Sequence, residues 1–139
     1  MPFVVDASIV GAWLLPDEEN ALADETLARM ADDDALAPDL LIHEIRSILL
    51  SAERRGRISS DLIYSGLARL RALPLQLSGP GDDSEVVRLS RGYQLSAYDA
   101  AYLALAVLEQ LELATLDRKL AAAARKEGVK VLGPIAHGD

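Results

Sequence analysis

The 139-residue chain has no cysteine. Disulfide frameworks, zinc–thiolate centres and thiol redox chemistry are therefore excluded. Histidine occurs only twice, and neither copy reads as a metal ligand. His43 neighbours Glu44 on a helix but points to another face, and His137 falls in the C-terminal tail. No uninterrupted apolar run reaches the ~20 residues needed to cross a bilayer. The start lacks the basic stretch and long apolar run of a secretion signal, so a soluble, cytoplasmic protein without a membrane partner is expected. There is no internal repeat, linker or low-complexity segment. One domain over residues 1–135, with a short tail at 136–139, suits this length, which allows a real core without staples.

Positive charge is also scarce. The formal net charge is −8, which first looks hostile to nucleic acid. Its distribution changes that view. Between Asp17 and Asp34, eight acids (Asp17, Glu18, Glu19, Asp24, Glu25, Asp32, Asp33 and Asp34) face Arg29 alone, a local balance of −7. The remainder, with 14 acids and 13 bases, is nearly neutral. One segment thus sets the sign of the whole, which bears on solubility and partners rather than on fold.

What is present is an alternation of short apolar runs with helical patterns. FVV at Phe3–Val5 reads as a buried strand, followed by a helix over Ala7–Leu15 that stops at Pro16. Pro16 and the acids after it predict a second helix to about Ala31. Ala35–Ala37 is a brief strand, and Asp39 to about Arg54 a long helix closed by Gly56. Ser59 or Ser60 caps a helix through Ala72, and Leu75–Leu77 is a third strand. A short helix over Asp82–Arg91 precedes Ser96, which caps an Ala- and Leu-rich helix over Ala97–Leu111. Leu113–Leu116, Asp117–Glu127 and Val129–Leu132 then read as strand, helix and strand. This order predicts an α/β fold: a parallel sheet of about five strands with helices on both faces.

Four acids stand where structure alone has little use for them. Asp6 ends the first strand, and ligands of open α/β sheets bind in the crevice at the carboxyl ends of the strands. Asp117 ends a later strand in the same way. Capping the following helix is the alternative role for both, although Ser8 is the better candidate for the first cap. Glu44 lies within the apolar stripe of its helix, three residues after Leu41 and four before Ile48, with Arg46 poorly placed to pair with it. Asp99 sits in the first turn of a helix that is apolar nearly all round, where Ser96 already supplies a cap. Thr115, two residues before Asp117, lies on the same side of its strand and could orient a carboxylate or water. Such carboxylates at one end of a sheet repel one another and raise their pKa values. A divalent cation relieves the repulsion, and oxygen-only ligands favour Mg²⁺, or Mn²⁺ as a substitute, over Zn²⁺.

FVVDAS, the helical Glu in LLIHEIRSILL, LSAYDAAYLALA and ATLDRKL, in this order and spacing, resemble the PIN domain, and the compact length resembles its VapC toxins. The resemblance spans essentially the whole chain, and LSAYDAAYLALA is its most specific block. It implies a three-layer α/β/α fold with strand order 3-2-1-4-5. It also implies Mg²⁺-dependent endoribonuclease activity, as the toxin of a type II toxin–antitoxin pair. Asp6, Glu44, Asp99 and Asp117 match the family's acidic quartet, with Asp6, Asp99 and Asp117 as metal ligands, and Thr115 matches its supporting hydroxyl. Leu120 replaces a common aromatic, a packing change. The implied partners are an RNA substrate, a second copy in a homodimer and a VapB-like cognate antitoxin. A basic segment of that antitoxin would suit the acidic site.

Chemically, a cation held by these acids can bind a phosphate oxygen and lower the pKa of water, with Glu44 orienting or deprotonating that water. Arg54, Arg55, Arg57, Arg88, Arg91, Arg118 and Lys119 are candidate phosphate contacts. A receiver domain would need an acid after the third strand, where Ser78-Gly79 stands instead. A haloacid-dehalogenase-type phosphatase would need an Asp at position 8, which is Ser. A PIN-fold RNA-processing nuclease outside any toxin pair, or a silent partner-binding module, remains as an alternative.

Overall fold

The computed structural model describes residues 1–134, so the expected tail at 136–139 and His137 lie outside the described residues. Five strands, β1 (Phe3–Val5), β2 (Ala35–Pro38), β3 (Leu75–Ser78), β4 (Glu112–Ala114) and β5 (Val131–Leu132), form one sheet in the order β3-β2-β1-β4-β5. Every neighbouring pair is parallel. Phe3, Val4 and Val5 are wholly buried. That is what a central parallel strand covered on both faces requires, and each such side chain contributes roughly 1.5–3 kcal/mol on burial.

Strand order and chain order together fix the layers. From β1 the chain moves outward through β2 to β3, then crosses back to β4 on the other side of β1. Right-handed crossovers in opposite directions place their helices on opposite faces of the sheet. The first set is α1 (Ala7–Leu14), α2 (Ala21–Arg29), α3 (Leu40–Arg54) and α4 (Ser60–Ala72). The second is α5 (Asp83–Tyr93), α6 (Ala97–Glu109) and α7 (Arg118–Lys126). Helix α6 packs across β1, β2 and β4. Its alanines at 100, 101, 104 and 106 are buried, and these short side chains bring its backbone close to the sheet. The direction reverses between β1 and β4, so the crevice at their carboxyl ends is the switch point where open α/β sheets take ligands.

Several element boundaries differ from the sequence expectation, among them β5, which is confined to Val131–Leu132. Helix α2 starts at Ala21 rather than at Pro16, because Asn20 Oδ1 accepts the Ala23 N–H at 3.0 Å and caps it there. The preceding acids are held elsewhere: Asp17 and Glu18 pair with Arg57 at 2.9 and 3.5 Å. Helices α5 and α6 end on Gln94 and Gln110, at φ 52° and 56°. A left-handed cap occupied by Gln gives none of the glycine signal that marks most helix ends. Strand β4 starts one residue earlier than expected and stops two residues earlier, at Glu112–Ala114.

Candidate active site

Asp6 follows β1 directly, and its backbone N–H donates to the Ala114 carbonyl of β4 at 3.2 Å. Its backbone is still extended, so its carboxylate can reach forward and cap α1, with Oδ1 accepting the Ile9 N–H at 3.2 Å. The expectation that Ser8 caps this helix is therefore corrected. The cap must be the last extended residue, which is Asp6, while Ser8 already lies within the first turn. Capping occupies only part of the carboxylate.

Ser8 has another role. Its hydroxyl donates to Asp6 Oδ1 at 2.6 Å and accepts the Leu116 N–H at 2.9 Å. Thr115 repeats the arrangement on the other oxygen: Oγ1 donates to Asp6 Oδ2 at 2.5 Å and accepts the Asp117 N–H at 3.0 Å. Two consecutive amides after β4 are thus relayed through two hydroxyls to the two oxygens of one carboxylate. The hydroxyl expected at Thr115 does orient an acid, and Ser8 is its unforeseen counterpart. Asp6 is only 4% exposed. Burial pushes its pKa up to about 6, against the hydrogen bonds from Ser8, Thr115 and Ile9, and Asp99 pushes the same way.

The other acids come from three further elements. Asp117 caps α7, with Oδ1 accepting the Leu120 N–H at 2.9 Å. Asp99 lies in the first turn of α6, where its N–H donates to Ser96 Oγ at 3.1 Å. Burial, then repulsion from Asp117, raises its carboxyl, while Ser96 and Lys119 act against the rise. Glu44 lies on α3, half-buried, and its Oε1 accepts the Tyr102 hydroxyl at 2.7 Å. Burial and then Asp99 raise its pKa, with Tyr102 and His43 opposing. Asp99 therefore has electrostatic coupling to each of the other three acids.

Among the described residues no lysine or arginine forms an ion pair with any of the four. Two of the expected phosphate contacts are committed elsewhere instead, Arg57 to Asp17 and Arg88 to Glu85 and Glu127. Nor do three His, Asp or Glu side chains among the described residues form a ready-made metal-binding group. The donor set nevertheless fits a hard divalent cation. It consists of oxygens alone, and its mutual repulsion is only partly offset, by the fields of Lys119 on Asp99 and His43 on Glu44. Tyr102 was not foreseen from sequence. The available signal was its position three residues after Asp99, on the same face of α6.

Residues 3–126 match the PIN domain family. The chain is 32% identical over 126 residues to Ribonuclease VapC3 of Pyrobaculum aerophilum, covering 87% of this chain and 93% of that protein. A crystal structure from Pyrobaculum aerophilum superposes with a TM-score of 0.71 at 25% identity, over 95% of this chain and 84% of that one. A toxin–antitoxin complex from Klebsiella pneumoniae has the same fold, with a TM-score of 0.59 at 21% identity, over 86% and 90% of the two chains.

Proposed function

The chain belongs to the PIN domain family, and from that premise we propose that it is a divalent-metal-dependent endoribonuclease, the toxin of a toxin–antitoxin pair. The observation that carries the reading is the coupling of Asp99 to Asp6, Glu44 and Asp117, with no ion pair to any of the four among the described residues. Asp6 and Asp99 would hold the metal, Mg²⁺ or Mn²⁺, with Asp117 as a third ligand. When bound, the metal supplies positive charge to a phosphate oxygen and acidifies water.

The chain's own groups do the rest. Ser8 and Thr115 fix the orientation of Asp6, so no reorganisation is needed when the substrate arrives. Glu44 orients the attacking water and accepts its proton, a task its raised pKa suits. The water oxygen adds to phosphorus, and the ester P–O bond opposite it breaks with its electron pair leaving on the departing oxygen. That oxygen takes up a proton from solvent, and the RNA is released in two pieces. Arg54, Arg55, Arg91 and Arg118 have no ion-pair partner among the described residues, so they can meet phosphates. Lys119 lies within the field of Asp99.

As a toxin the protein takes a cognate, VapB-like antitoxin, whose basic segment supplies the acid cluster with an ion-pair partner that none of its described residues provides. A homodimer is part of the same reading. The deciding assay is RNA cleavage with Mg²⁺ and with chelator, comparing wild type with Asp6→Asn and Asp99→Asn. Equal cleavage by all three proteins would overturn the site. Growth arrest on expression, relieved by the same substitutions, separates a toxin from a housekeeping nuclease. Neutralising the antitoxin's basic residues should restore cleavage in the complex.

A further inference from the structure

Tyr102 is the one polar side chain that α6 buries beneath the acids. It is 1% exposed, lies three residues after Asp99, and donates its hydroxyl to Glu44 Oε1 at 2.7 Å. No other hydrogen bond reaches the Glu44 carboxylate from a described residue. The hydroxyl also lies in the fields of Asp6 and Asp99. Surrounded by three acids and buried, the phenol stays protonated, so it acts only as a donor.

A half-buried glutamate on an apolar helix face can be fixed in two ways. A guanidinium would hold it and cancel its charge. A neutral phenol holds it and leaves the charge in place, and the phenol itself is immobilised by the burial of its ring. We infer that the Tyr102 hydroxyl is a positioning group, which turns the Glu44 carboxylate toward Asp6 and Asp99 while preserving its negative charge for the cation they share. Tyr102 touches neither metal nor substrate in this arrangement and acts through Glu44 alone. The inference rests on the metal-site reading above, and the residue named is an addition to it.

The test uses the full chain as wild type, Tyr102→Phe, Glu44→Ala and the double variant. Mn²⁺ binding in the absence of RNA is measured by calorimetry, and RNA cleavage is followed against Mg²⁺ concentration. Loss of an outer hydrogen-bond partner typically weakens metal binding by about ten-fold or more. Tyr102→Phe is expected to raise the Mn²⁺ dissociation constant by about that factor, and to add nothing further in the Glu44→Ala background. Glu44→Asp, whose shortened side chain leaves the phenol's reach without disturbing the core, should match Tyr102→Phe. Wild-type Mn²⁺ affinity in Tyr102→Phe, or an equal loss in the Glu44→Ala background, overturns the positioning role while leaving the nuclease intact. If wild type itself neither binds Mn²⁺ nor cleaves RNA, the metal-site reading fails and the positioning role falls with it.

Discussion

Two tyrosine–glutamate pairs in this protein behave in opposite ways. Tyr93 on α5 donates to Glu127 at the end of α7, and Arg88 joins them, bonding Glu127 at 2.6 Å and Glu85 at 2.6 Å. The guanidinium, and then the phenol, hold the Glu127 carboxyl below its ordinary range. Tyr102 and Glu44 make the same bond without an arginine, and burial leaves that carboxyl raised. The first arrangement has its countercharge, one guanidinium bonded to both carboxylates, and it fastens α5 to α7. The second has no ion-pair partner among the described residues, and neither do its neighbours Asp6, Asp99 and Asp117. The geometry of a Tyr–Glu bond therefore says little about its role, whereas the presence or absence of a countercharge says much.

The largest test of that contrast removes the shared neighbour. Asp99→Asn should reduce RNA cleavage by about 10³-fold, the scale of several kcal/mol of electrostatic stabilisation. It should also raise the melting temperature of the metal-free protein, because the repulsion with three acids is gone. A loss of both activity and stability would mean that Asp99 is an ordinary structural acid.

Next is the pH dependence of the metal-free fold. Asp6 has a pKa of about 6 when folded against 3.8 as its ordinary value. The folded state thus holds its proton more tightly than the unfolded state does. The resulting stabilisation is full below pH 3.8 and is lost as pH rises through 6, a difference of about 3 kcal/mol. Denaturant unfolding in chelator should show stability falling between pH 4.5 and 7, with the fall flattened in Asp6→Asn. Added Mg²⁺ should recover the loss above pH 6.

Gly133 gives a smaller effect from outside the acids. A Cβ there would lie 2.8 Å from the Thr115 carbonyl oxygen and 2.9 Å from Val131. Backbone cannot yield as a flexible side chain can, so Gly133→Ala should destabilise by roughly 1–3 kcal/mol. It should also slow cleavage, since Thr115 carries one of the hydroxyls on Asp6. The smallest change turns the matched pair toward the unmatched one. In Arg88→Met the Glu127 carboxyl should climb back from its lowered value, readable by NMR titration of the glutamate carboxyls. No climb would mean that Tyr93 alone sets it.

The sheet and the acids were legible because each leaves a pattern along the chain. FVV before Asp6 and Leu113–Leu116 before Asp117 announce strand ends, although the second strand stops at Ala114 and leaves Asp117 as a helix cap. Glu44 stands out as a charge on an apolar stripe. The hydroxyls were half legible. Thr115 was found by alternation along its strand, while Ser8 was read as a cap because a serine near a helix start usually is one. Asp6 took that task, since a cap needs extended backbone. Tyr102 was hidden for a different reason. An aromatic ring in an apolar helix reads as core, and here it is core, with a single atom at its tip in the site. Which acids would find arginines was not legible either, because Arg57 reaches Asp17 across 40 positions and Arg88 reaches Glu127 across 39.

The tethers on Asp6 also set an order in time. The acid appears early in synthesis, but the hydroxyl that holds its Oδ2 comes 109 positions later, and the amide that steadies Ser8 comes 108 positions after that serine. A ribosome partway through this chain has already made Asp6 and Glu44 and has not yet made Asp99, Tyr102 or the strand that locks the first acid. The setting of Asp6 is therefore incomplete until the last strand-and-helix unit of the chain has been made.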